Sequence, residues 1–113
     1  MFYNFTKESD HEIIANLISE YWHASIKTSK ESPTIDDYVQ SLETWANNTG
    51  QRFSVFNNNG IKHVFHHDWG YSYSKITSMM IRKTFESIGC EIKNMEVNEN
   101  MFSYYIHKNM NSL

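Results

Sequence analysis

Apolar residues recur along the first part of the chain at spacings of three and four. Ile13, Ile14, Leu17, Ile18, Tyr21, Trp22 and Ile26 draw one wide stripe along a 3.6-residue period. The stripe predicts a helix over residues 9–27. At its head, Ser9-Asp10-His11-Glu12 has the S-x-x-E form in which a serine hydroxyl and a glutamate carboxylate satisfy the orphan amides of a first turn. The segment Thr28-Ser29-Lys30-Glu31-Ser32-Pro33 is polar and holds the chain's one proline, so it predicts a connection. Thr34 and Asp37 repeat the capping spacing. Behind them Ile35, Tyr38, Val39, Leu42, Trp45 and Ala46 line one side of a second helix, with Gly50 as its stop.

Past Gly50 the period changes. Arg52 to Phe56 and Ile61 to His67 are short runs rich in aromatic and β-branched residues, separated by Asn57-Asn58-Asn59-Gly60. They predict a β-hairpin. A two-residue Asn59-Gly60 loop of type I′ would set Val55 opposite Val64 and Phe53 opposite His66, leaving aromatic residues on both faces of the ribbon. Asp68-Trp69-Gly70 closes the second strand. A third helix follows, containing Ile76, Met79, Met80, Ile81, Phe85 and Ile88, with Ser72 or Ser74 as its cap and Gly89 at its end. Ile92 to Val97 and Met101 to His107 flank a three-residue loop, Asn98-Glu99-Asn100, and the last six residues are expected to fray. The order α, α, β, β, α, β, β predicts an α+β fold: two N-terminal helices, then β-hairpin, helix and β-hairpin. The two hairpins form a four-stranded antiparallel sheet covered by helices.

Composition narrows what such a fold can do. With 113 residues and 13.4 kDa, the chain is long enough for one core, so residues 1–113 are expected to form a single α+β domain. Aromatics at 15% argue against disorder, and the mean hydropathy of -0.60 owes much to twelve uncharged Asn. A net charge of -3 supplies no positive field to gather phosphates, which disfavours direct nucleic-acid binding. The lone Cys90 fits a reducing compartment. The start MFYNFTKESDHE lacks a basic region followed by an apolar stretch, so the expected location is cytoplasmic, with no membrane partner.

The densest chemistry is Lys62-His63-Val64-Phe65-His66-His67-Asp68, since imidazole with carboxylate suits zinc or a similar ion. Strand alternation sends His66 and Asp68 to one face and His63 and His67 to the other, so one ion meets at most two of them without a bulge. A closed site would need distant donors such as His11, His23, His107, Glu12 or Glu20. His66 and Asp68 are therefore the candidate metal pair, with zinc the possible ion, although the expectation is no cofactor. The same two could act as general acid and base. Against that, Asp68 has an obvious local use, accepting from backbone amides of the following turn or from His66. His63, His67, Trp69, Tyr71 and Tyr73 are the candidate ligand or interface residues, with Phe102, Tyr104 and Tyr105 as a further aromatic group. No nucleophile elbow or glycine-rich phosphate loop occurs, and Cys90 follows a helix C-terminus, where the dipole disfavours a thiolate.

The functional expectation is a small non-enzymatic regulatory or protein-interaction module that pairs with itself as a homodimer. It could sense a ligand in a transcription-regulator setting, the partner making any DNA contact. Two alternatives come from other classes: a histidine-dependent metal-binding protein or small metal-dependent hydrolase, and an acidic inhibitor of a nucleic-acid-handling complex.

Overall fold

The computed structural model describes residues 8–57 and 60–108. Three helices and four strands follow the expected order: α1 (Glu8–Ser29), α2 (Ile35–Asn48), β1 (Arg52–Asn57), β2 (Ile61–His66), α3 (Tyr71–Ser87), β3 (Cys90–Asn98) and β4 (Met101–Lys108). The strands form one antiparallel sheet in the order β1-β2-β4-β3, so the fold is α+β. No described helix is long and apolar enough to cross a membrane.

Local chemistry explains most boundaries. Thr34 caps α2 through its hydroxyl, which accepts from the Asp37 amide at 3.2 Å, while the Asp37 carboxylate accepts from the Thr34 amide at 2.8 Å. α1 departs from expectation at both ends. It already includes Glu8, so Ser9 lies within the helix rather than capping it. It also continues through Thr28 and Ser29, where the Thr28 hydroxyl donates to the Ala24 carbonyl at 2.8 Å and so accommodates a polar residue in the last turn. α3 is capped by neither expected serine. Gly70 occupies the N-cap with no side-chain bond, and Ser72 and Ser74 lie inside the helix.

The first hairpin pairs one residue out of the expected register. Phe53 faces Phe65 and Val55 faces His63, which leaves three residues between Asn57 and Ile61 instead of a two-residue turn. Asn59 lies outside the described residues. Gly60 takes φ 144, a conformation open to glycine. The second hairpin errs the other way: Asn98 pairs with Met101 across a two-residue loop, and the Asn98 side chain accepts from the Asn100 amide at 3.2 Å. A bulge between Lys93 and Glu96, with Asn94 at φ 53, shifts the side-chain phase of β3. Cys90 and Ile92 before it and Met95 and Val97 after it thus all join the helix-covered face. Lys108 closes β4, and the rest of the segment expected to fray lies outside the described residues.

The corrected register sorts the sheet's two faces. Phe53, His63, Phe65, Phe102, Tyr104, Ile106 and Ile92 point to the helices, and Phe65 stacks on Phe102 at 4.4 Å. The opposite face carries Arg52, Ser54, Lys62, His66, Glu91, Lys93, Glu96 and His107, with Lys62 over the Tyr105 ring at 5.2 Å. Phe56, Val64, Met101 and Tyr105 share it, so it is a mixed surface of charged and apolar residues rather than the second apolar face that the sequence suggested. Among the helices, α3 packs on both α1 and β3, while α2 lies more loosely against β1 and meets α1 through Trp22, His23 and Tyr38.

Candidate functional site

Strand alternation on β2 aims His63 inward, where it is fully buried. Its Nε2 lies 2.9 Å from the Glu43 carboxylate on α2, and its Nδ1 lies 2.9 Å from the Tyr104 hydroxyl on β4. A carboxylate only accepts, so Nε2 carries the proton and Nδ1 accepts from the phenol. Phe53 stands edge-on to the ring at 5.1 Å. Burial pushes the His63 pKa down, and the Glu43 hydrogen bond and charge only partly oppose this. Burial also holds the Tyr104 phenol protonated well above its ordinary range, with the Glu43 charge adding to the effect.

His67 sits just past β2 as a second centre, also buried. Its Nδ1 accepts from the Trp69 amide at 3.0 Å, so Nε2 is the protonated nitrogen and donates to Ser74 Oγ at 2.6 Å. A ring nitrogen that already holds a proton cannot take one from serine, so Ser74 is not an activated nucleophile. Trp69 stacks on the imidazole at 5.9 Å and Tyr73 meets it edge-on at 4.7 Å. Burial lowers the His67 pKa, partly opposed by the Asp68 charge. In the turn where Asp68 was expected to accept from backbone amides, the Trp69 amide is taken by His67.

Of the residues singled out in the sequence, His67, Trp69 and Tyr73 come together, while His63 belongs to a separate cluster with Tyr104. Tyr71 is exposed at the start of α3. His66 lies exposed on the open sheet face and Asp68 is exposed in the turn beyond β2. No group of three or more His, Cys, Asp or Glu side chains converges among the described residues. His23, one of the distant donors considered, is held between Tyr38 at 2.7 Å and Ser87 at 2.9 Å. Because Ser87 already donates to the Thr84 carbonyl, His23 donates to Ser87 through Nε2 and accepts from Tyr38 through Nδ1.

Sequence reasoning missed Glu43. Its signal is its position, four residues after Val39 and three before Ala46, inside the arc that α2 buries. The Glu43–His63–Tyr104 chain could relay a proton from a carboxylate at the surface to a phenol in the core. With Tyr104 fully buried, no substrate reaches that phenol, so the chain's work is to tie α2 to the sheet.

The outer surface of the helical layer differs. The wide α1 stripe divides along its length: Ala15 and Ile26 are buried and Ile18 and Trp22 partly so, whereas Ile13, Leu17 and Tyr21 are 59%, 61% and 76% exposed. On the buried side α1 meets α3 partly through polar contacts, with the Ser19 and Thr84 hydroxyls 2.6 Å apart. Where α1 and α2 splay, a cleft of about 320 Å³ opens between them over α3. Compared with models of known families, with curated proteins and with solved structures, the chain matches none.

Proposed function

We propose that this chain is a non-catalytic interaction module that pairs with a second copy of itself through α1. The observation that supports this reading is the exposed row Ile13, Leu17 and Tyr21 on three successive turns. Isolated apolar residues are common on surfaces, but a row of three large ones along a single helix face marks a place where water is to be excluded. The histidine centres favour no catalytic reading, since both have their ring nitrogens committed within the fold.

A second copy fits this row because the row is self-complementary. In an antiparallel two-fold crossing centred on Leu17, Ile13 of one copy meets the partner's Tyr21, and each contact occurs twice. The open sheet face, where the sequence suggested cover, is less suited because charged residues from three of its strands, Arg52, Lys62, Glu91, Lys93 and Glu96, populate it. Three side chains fall well short of the roughly 800 Å² per partner of a standard interface, so the expected dimer is weak and reversible.

Sedimentation equilibrium across the micromolar range tests this reading. The wild-type chain is expected to approach twice its monomer mass, and Leu17→Glu, at an exposed position, to remain monomeric with an unchanged Tm. A wild-type chain that stays monomeric throughout, or a Leu17→Glu variant that dimerises as well, overturns the assignment.

A further inference from the structure

The cleft between α1 and α2 has the size and chemistry of a ligand site, and we propose that it binds an uncharged aromatic compound of two or three rings bearing a hydroxyl or carbonyl group. This goes beyond the pairing of α1 and does not depend on it. Size is the first argument. A cavity of about 150 Å³ takes one benzene, and this cleft offers about 320 Å³.

The lining is the second. Ile18, Trp22, Leu42 and Met80 form apolar walls with Tyr21 and Trp45 at the exposed rim, and no charged side chain contributes. An ion entering would lose water and gain no counter-charge, so the cleft selects neutral molecules. The Trp22 wall is already in place: its ring is held edge-on by Tyr38 and by Phe85, both at 5.8 Å, and its Nε1 donates to Ser41 Oγ at 3.1 Å. A pre-set aromatic face spends little ordering entropy on a flat ligand.

Polar groups supply the third argument. Thr77 of α3 lines the deep end of the cleft and is only 4% exposed, yet its hydroxyl makes no hydrogen bond among the described residues. The Ser41 oxygen accepts from Trp22, leaving the Ser41 proton without an acceptor among those residues. Neither hydroxyl is sealed off, since the buried unpartnered side-chain atoms among the described residues are those of His11, so both open on the cleft, where a ligand oxygen would take the place of water. Apolar walls with a few convergent polar groups are the usual make-up of a small-molecule site.

The test compares 2-naphthol, naphthalene and 2-naphthoate by ¹H–¹⁵N NMR titration, following the Trp22 indole N–H and the Ser41 and Thr77 amides. It is run on wild type, Thr77→Val and Leu17→Glu. 2-Naphthol is expected to shift these resonances at sub-millimolar concentration and naphthalene to bind more weakly, with 2-naphthoate leaving them unmoved. Thr77→Val keeps the shape of the cleft and is expected to weaken 2-naphthol about tenfold while leaving naphthalene unchanged. Binding unaltered in Leu17→Glu separates the cleft from the pairing surface. No response of the Trp22 indole to millimolar 2-naphthol, equal affinity for 2-naphthoate, or 2-naphthol binding unaffected by Thr77→Val in a variant with wild-type Tm each overturns the proposal.

Discussion

The Nε2 of His63 stands 2.9 Å from the Glu43 carboxylate, a contact that crosses from the buried face of the sheet to α2. With Tyr104 on the other ring nitrogen, it makes a chain in which each group has one role. Tyr104→Phe removes the donor to Nδ1 and leaves a buried acceptor unpaired, an expected cost of about 1–3 kcal/mol. Glu43→Gln keeps an acceptor for the Nε2 proton and loses only charge. The Glu43 side chain is 31% exposed, so the expected cost is smaller, about 1 kcal/mol or less. Urea denaturation of both variants checks the order, and a costlier Glu43→Gln would show that the ionic attraction dominates.

Acid should destabilise this fold from near neutrality. Burial lowers the pKa of His23, His63 and His67 below the ordinary 6.5, so the folded chain binds fewer protons than the unfolded chain as pH falls. Their contribution is complete above pH 6.5 and is lost as pH drops below it, through the lowered folded values. Tyr104 acts at the other limit: its raised pKa contributes fully below the ordinary 10.0 and is lost only as pH rises through the raised value. The expected Tm profile is a plateau over about pH 7–9 with a falling acid limb. His63→Gln removes one titrating group and should make that limb shallower. An unchanged limb would assign it to other residues.

The elements were legible because each rests on local rules, as the Thr34–Asp37 capping box and the α2 arc illustrate. Register was not, because it depends on the loop: the Asn-Gly pair suggested a two-residue turn, and the chain spends one residue more. That single step moved Phe53 from opposite His66 to opposite Phe65, gathering Phe53, His63 and Phe65 on the helix-covered face and leaving Phe56 on the open one. The β3 bulge does leave a trace in the sequence, since Cys90 and Ile92 are two apart but Ile92 and Met95 are three apart. That His63 and His67 share a face opposite His66 followed from alternation on β2, but not which face turns inward. Their partners did not, because Glu43, Tyr104 and Ser74 are brought in by other elements.

Gly60 and Gly50 both have positive φ yet should differ in what they tolerate. At Gly60, φ is 144, and an added Cβ would meet the Ile106 carbonyl oxygen at 3.3 Å and the His107 ring at 3.7 Å. At Gly50, φ is 82 and nothing lies within 4 Å. Gly60→Ala combines a backbone that L-residues rarely adopt with crowding against β4, an expected loss of about 2 kcal/mol. Gly50→Ala incurs only the left-handed penalty, about 1 kcal/mol. Denaturation midpoints that fail to separate the two would remove the contact with β4 from the account.

His11 carries the opposite prediction, that removing a polar side chain strengthens the fold. It is 4% exposed on α1, and neither ring nitrogen has a hydrogen-bond partner among the described residues. An imidazole that no described residue compensates has given up its water at a cost of about 1–3 kcal/mol. Leucine has a similar volume and no polar atom to leave unpaired, so His11→Leu is expected to raise stability by about 1 kcal/mol, less than the full penalty because the packing is not shaped for leucine. His23→Leu is the contrast on the same helix. Both of its nitrogens are bonded, so the change leaves the Tyr38 hydroxyl without its acceptor and should destabilise by about 1–3 kcal/mol. Thermal and urea unfolding of the two variants side by side decides the matter: a His11→Leu variant that loses as much stability as His23→Leu would mean that the His11 ring is satisfied in solution.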